Sequence, residues 1–206
     1  MIVIGSGGHA REVLQILHEQ NKTNNLFFFD DISNFSQSLL YHQFPIIRTY
    51  TDLQKAFLQD PKFVLGIGGC DTRHNLAEQA KALGGTLCSI ISKDAQIGTF
   101  EVKLGLGLNV MKRVFISNDV KIGEGCLLNY DCSIHHEVHI GSYCELSPRC
   151  QILGKVRIGD HTSIGAGAVI LPKIQIGSNV SIGAGAIVTK DIPDNVIAKG
   201  NPARYT

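Results

Sequence analysis

The chain has 206 residues, 44% of them hydrophobic, with 19 Lys and Arg against 18 Asp and Glu and a formal net charge of +1. That length accommodates one large or two modest domains with real cores. The balanced charge, without a basic run, excludes nucleic acid and anionic membrane as expected partners, and no apolar segment approaches the ~20 residues of a membrane span.

Residues 1–90 alternate between strand and helix patterns. Met1–Ile4 reads as a short buried strand, with no charged leader or cleavage signal before it, so a cytoplasmic location is expected. Gly5-Ser6-Gly7-Gly8-His9-Ala10 turns into a helix from Arg11 to about Gln20. Leu26–Phe29 is a second strand ending at Asp30-Asp31. Thr51 to Leu58 reads as a helix with Thr51 as its N-cap. Phe63–Ile67 is a third strand, followed by Gly68-Gly69-Cys70-Asp71-Thr72-Arg73, where Asp71 or Thr72 caps a helix to about Leu83. Thr86–Ile90 is a fourth strand. Such alternation implies a small parallel, Rossmann-like sheet with helices on its faces. Ligands sit beyond the carboxyl ends of strands in these sheets, where both glycine turns and Asp30-Asp31 fall. Glycines admit a ligand to the backbone amides, and a helix N-terminus favours its phosphate. The first turn lacks the third glycine of a dinucleotide fingerprint, and the segment has room for half of such a fold.

From Leu104 the signal is a period of six. Stepping by six to Val188 meets fifteen positions, every one Leu, Ile or Val. Two residues before each runs a second stripe of mostly small or β-branched residues, including Cys126, Cys132, Cys144 and Cys150. A six-residue period marks a parallel β-helix, each hexapeptide one strand and a corner, three hexapeptides to a triangular coil. Fifteen repeats make about five coils, each stabilised by stacking on its neighbours. Glycine often follows the aliphatic, as at Gly123, Gly141 and Gly159, at a corner that a Cβ would crowd. The four striped cysteines read as compact core fillers rather than disulfides or metal ligands.

The most reactive stretch is Asn129-Tyr130-Asp131-Cys132-Ser133-Ile134-His135-His136-Glu137. Ile134 is inward, so His136 points outward, and an unperturbed pKa near ~6.5 suits it to act as a general base. Glu137 is the nearest carboxylate to fix its tautomer. His135, His136 and His139 also raise a zinc site shared between subunits, but adjacent residues of a strand point to opposite sides, so all three cannot converge from one chain.

The order GSGGHAREV, FFFDD and GIGGCDTR followed by hexapeptides resembles the sugar acyltransferases of the NeuD and PglD type, over nearly the whole chain. The resemblance implies a left-handed β-helix, two domains (1–90 for nucleotide sugar, 91–206 for acetyl transfer, with a C-terminal cap from about 190) and a homotrimer with grooves between subunits. It nominates Gly7, Gly8, His9, Asp30, Asp31 and Gly68 for the nucleotide sugar, and His136 and Glu137 for catalysis. Acetyl-CoA is the implied co-substrate, with no metal. Its pantetheine arm is expected along Ser163-Ile164-Gly165-Ala166-Gly167-Ala168 and Ser181-Ile182-Gly183-Ala184-Gly185-Ala186, nominating Ala166 and Ala184. Glu145 stands where many members carry a second histidine on the cofactor side. The implied reaction is N-acetylation of a UDP-linked amino-deoxy sugar for a bacterial surface glycan. O-acetylation of a sialic-acid-like sugar is the near alternative, and a binding protein whose transferase activity has lapsed is a third reading, favoured by Glu145.

Overall fold

The structure, a computed structural model, describes residues 1–32 and 38–205. The chain forms two compact units, one of Met1–Gly68 with Thr72–Ile90, the other of Gly69–Asp71 with the chain from Ile91 on.

In the first unit, β1 (Ile2–Ile4), α1 (Gly8–Glu19), β2 (Phe27–Phe29), β3 (Leu39–Leu40), β4 (Phe44–Ile47), α2 (Tyr50–Phe57), β5 (Lys62–Leu65), α3 (Cys70–Ala82) and β6 (Thr86–Leu87) follow in order. The sheet order is β3-β4-β2-β1-β5-β6. Neighbours run parallel except β3 against β4. Central β1 is at most 1% exposed along its whole length, as a strand covered on both faces must be. Helix α1 turns Ala10, Val13, Leu14 and Leu17 into that core.

The sheet has two strands more than the four expected. Short β3 and β4 carry little alternation, and Pro45 interrupts the second of them; a proline is tolerated there because β2 pairs with β4 only from Ile46 on, so the ladder asks for no N–H at Pro45. Helix α1 begins at Gly8, ahead of the expected Arg11, with Gly7 as an N-cap that makes no side-chain bond. The cap of α2 is Thr49, not Thr51: its Oγ1 accepts from the Asp52 N–H at 3.1 Å, while Thr51 lies inside the helix. The strand expected over Thr86–Ile90 divides, Thr86–Leu87 joining this sheet and Ile90–Ile91 the next unit's.

The second unit is a parallel β-helix. Its two-residue strands stack into three sheets, each strand pairing with the one eighteen residues on, as Ile116↔Ile134↔Ile152↔Ile170↔Val188 do in one of them. Faces are named here by the outward residue of each strand. The first carries Leu127, Glu145, Ser163 and Ser181; the second Phe115, Ser133, Gln151 and Val169; the third Lys121, His139, Arg157 and Gln175. The second residue of every strand from Val110 to Val188 is buried, with Leu104 part-buried at the end of the stack. Glycine at the corners has a direct cause. A Cβ on Gly123 would lie 2.6 Å from the carbonyl carbon of Gly141, one coil away, where only backbone could give.

The four striped cysteines lie in this interior, each fully buried. Cys132 Sγ donates to the Ser147 carbonyl at 3.1 Å and Cys144 Sγ to that of Gly159 at 3.0 Å. A hydrogen bond with Cys126, then burial, pushes the Cys144 thiol up, and Cys132 with burial does the same to Cys150. Such thiols are poor nucleophiles. After Val188 the period ends, and Ile197–Gly200 with Ala203–Tyr205 forms an antiparallel pair added to the first face beside Ser181–Ile182. Among the described residues no helix is long and apolar enough to cross a membrane.

Candidate active site

In the first unit, a cavity of about 360 Å³ opens at the carboxyl ends of β1, β2 and β5. Gly7, Gly8, His9, Asp30, Asp31 and Gly68 all line it. Its glycines divide by role. A Cβ on Gly5 (φ +106°) would meet the Gly66 carbonyl oxygen at 2.9 Å, and one on Gly66 the Ala10 Cβ at 2.9 Å, so both serve packing. Gly7 and Gly8 have nothing within 4 Å of an added Cβ. Their small size instead bares the amides at the start of α1, where the helix dipole favours an anion.

The paired aspartates also differ. Asp30 is 8% exposed; it accepts a short bond from the Ser6 hydroxyl and one from the Ile32 N–H at 3.1 Å. Arg48 donates to the Asp30 carbonyl at 2.9 Å. Asp30 therefore braces the glycine turn against the end of β2, whereas exposed Asp31 is offered to the cavity. His9, with a side chain 12% exposed, is held from the next turn by Glu12, Nδ1 to Oε2 3.1 Å.

In the second unit, Ser133–Ile134 leads into the corner between the second and third faces. His136 and Glu137 occupy that corner, and Glu137 adopts the left-handed conformation (φ 61°) that turns the chain. His136 is outward, its side chain 58% exposed, with Nδ1 3.2 Å from Glu137 Oε1. The hydrogen bond from His136, and then Lys155, hold the Glu137 carboxyl below its usual range. The ring lies over Gly154, one coil further along, where a Cβ would stand 2.5 Å from Nε2 and 2.6 Å from Cε1. Sequence reasoning missed Gly154, although adding eighteen to 136 finds it. The arrangement supplies a solvent-facing imidazole whose second nitrogen is engaged by a carboxylate, which is the form of a general base.

The other histidines go elsewhere. His135 stands edge-on to Phe115 at 5.9 Å between centroids. On the third face, His139 Nδ1 accepts from Arg157 at 2.5 Å, and burial, then Arg157 and Lys121, push its pKa down. Among the described residues no group of three or more His, Cys, Asp or Glu could hold a metal ion.

Ala166 and Ala184 are exposed and stack in register, Gly165 lying so close beneath that its Cβ would meet the Ala184 nitrogen at 2.5 Å. They occupy the corner between the first and second faces, so in one chain they and His136 mark opposite edges of the second face. Glu145 lies on the first face, where its Oε2 accepts from the Gly69 N–H at 2.6 Å. Burial first, and then the charge of Glu145, push the neighbouring Cys70 thiol up to about 11.

The hexapeptide coils define the class of the hexapeptide-repeat acyltransferases. Residues 137–172 and 155–190 match the bacterial transferase hexapeptide (six repeats), and residues 1–80 match the PglD N-terminal domain. Both parts in one chain support the acyltransferase family of the NeuD and PglD type. Among solved structures, it is similar to the acetyltransferase domain of PglB from Neisseria gonorrhoeae FA1090, at 29% identity and a TM-score of 0.90, covering 100% of this chain and 98% of that one. PerB from Caulobacter crescentus, in complex with CoA and GDP-perosamine, is 29% identical with a TM-score of 0.90, over 100% and 96% of the two chains. WeeI from Acinetobacter baumannii AYE is 28% identical with a TM-score of 0.88, over 100% and 98%. None of the curated proteins matches the chain. The coils are thus those of the left-handed β-helix of this class.

Proposed function

We propose that the protein transfers the acetyl group of acetyl-CoA to the amine of a nucleoside-diphosphate-linked amino-deoxy sugar, UDP-linked in our reading, for a bacterial surface glycan. The observation that carries this is the His136–Glu137 pair on its corner, in a chain that also holds a cavity with bare helix-start amides. PerB supports the choice of an amino sugar, since its complex holds CoA and GDP-perosamine, and a related structure is named perosamine N-acetyltransferase.

In the first unit, Gly7, Gly8 and His9 receive the diphosphate, Asp31 the nucleoside, and Asp30 keeps the turn in shape. In the second, His136 Nε2 takes a proton from the attacking amine as its nitrogen bonds to the thioester carbonyl carbon. The carbon–sulfur bond then breaks, and His136 returns the proton to the departing sulfur. Glu137 stabilises the imidazolium formed in between. No acyl-enzyme is required, in keeping with buried thiols held protonated. The glycine-alanine strip at Ala166 and Ala184 suits a narrow pantetheine arm. Because it and His136 lie on opposite edges of one face, a neighbouring copy presenting its own strip to His136 completes the groove, which supports a homotrimer. We read the location as cytoplasmic, where acetyl-CoA is available.

The test is thiol release from acetyl-CoA with a panel of UDP-, GDP- and CMP-linked sugars, with the product mass measured. Release with an amino sugar, cut by about 10²–10⁴ in His136→Ala, supports the proposal. Release with a CMP-linked or free sialic acid alone would replace it by O-acetylation, and none with any sugar would favour a lapsed binding protein.

A further inference from the structure

The corner file that contains Glu137 continues at eighteen-residue steps through Glu101, Asp119, Glu137, Lys155 and Lys173, all in the left-handed conformation with φ from 52° to 68°. Successive members lie one coil apart, about 4.8 Å. Along this file like charges face each other at every step except one. The sign reverses between Glu137 and Lys155, at the coil that carries the histidine–carboxylate pair. There Lys155 Nζ lies 3.4 Å from Glu137 Oε2, while Glu137 Oε1 faces His136 Nδ1 at 3.2 Å.

We propose that Lys155 is a positioning residue that acts on His136 through Glu137: by sharing the carboxylate, it weakens the carboxylate's hold on the imidazolium and keeps the base unprotonated to lower pH. This rests on His136 being the base. The sign follows from charge alone. A carboxylate at Nδ1 favours the charged ring, and a cation on that carboxylate's other oxygen opposes it. The remaining charged groups along the same trough are Glu101, Lys103, Asp119, Lys121, His139 and Arg157. Of these Asp119 is the file neighbour on the other side of Glu137, an acid that favours the charged ring, and Lys155 is the opposing member that touches Glu137, with Lys173 one coil beyond it.

A series at one position tests this: Lys155→Arg, Lys155→Met and Lys155→Glu, read by the pH dependence of kcat/KM and by ¹⁵N-detected titration of the His136 ring in the full chain without substrates. The expected order is no shift for arginine, an upward shift of about 0.2–0.5 pH unit for methionine, and a larger one for glutamate, the range an exposed ion pair converts to. A profile unmoved by Lys155→Met, or moved downward, overturns the proposal. Should no sugar support acetyl transfer, the ring titration still decides it, so its failure and that of the functional reading are told apart.

Discussion

If His136 is the base proposed above, replacing Gly154 by alanine should disable its corner while leaving the fold intact. The added Cβ would stand 2.5 Å from His136 Nε2, 2.6 Å from Cε1 and 3.2 Å from Cδ2. Carbon–carbon contact is optimal at about 3.5–4.0 Å, so the ring must retreat by roughly 1 Å. Its side chain is 58% exposed and can swing toward solvent without disturbing the coils. Gly154 itself is buried beneath the ring, but that swing relieves the contact, so stability should fall by no more than about 1 kcal/mol, the low end for adding a methyl at a packed site. A 1 Å displacement of a reacting group costs on the order of 10² in rate, and that loss should fall on kcat rather than on KM for either substrate. Steady-state kinetics of acetyl transfer beside a urea titration separates the two effects. A Gly154→Ala enzyme turning over within about threefold of wild type would refute the placement of the working imidazole over Gly154, since a 10²-fold loss is expected.

Four further substitutions have outcomes set by the geometry. Glu137→Gln removes the carboxylate that favours the charged ring, so the acid limb of kcat/KM should move to lower pH, with a fall in the plateau. The wild-type carboxyl is held below its ordinary value of 4.5 by the His136 hydrogen bond and then by Lys155, so its small contribution to stability is present above that value and is lost as pH falls through the lower folded value; thermal melts of wild type and variant should converge in that acid range. Ile152→Ala empties a fully buried position between Ile134 and Ile170 and should cost about 2–5 kcal/mol in urea unfolding. Asp30→Asn should lower the melting temperature, since Asp30 braces its own turn. Asp31→Asn should leave melting unchanged and weaken nucleotide-sugar binding about 10- to 100-fold in calorimetry, one hydrogen bond to a charged group being worth about 1.5–3 kcal/mol.

The β-helix was the most legible part of the chain because stacking repeats one requirement at every coil. Each sixth residue must fill the same interior, so the period is written fifteen times. The outward positions obey no such constraint, and the faces and corner files emerge only when residues eighteen apart are compared. Gly154 and Lys155 were missed for that reason: both sit in an ordinary corner, and their relation to His136 and Glu137 is between coils. In the first unit, the central strands were readable as continuous apolar runs, whereas β3 and β4 at the sheet edge bury too little to leave a pattern. The cap of α2 was misplaced because Thr49 and Thr51 are equally good capping residues; it is Thr49 that stands just before the helix, where its hydroxyl accepts from the Asp52 amide. The glycine turn marked a ligand site without showing that Asp30 and Asp31 have separate tasks, since their difference lies in burial. Glu145 read as a lost histidine; its bond to Gly69 joins residues 76 positions apart and leaves no local trace.

The claim on which the account turns is that acetyl transfer happens where His136 of one copy meets the Ala166–Ala184 strip of another. Hybrid oligomers test it most directly. His136→Ala and a strip-blocking Ala184→Trp chain, each inactive alone, are co-expressed with different tags, and mixed assemblies are isolated through both. If neighbouring copies share the groove head to tail in a trimer, every mixed assembly has one interface in three with both halves intact, and about a third of wild-type activity should return. Hybrids as inactive as either parent would contradict it.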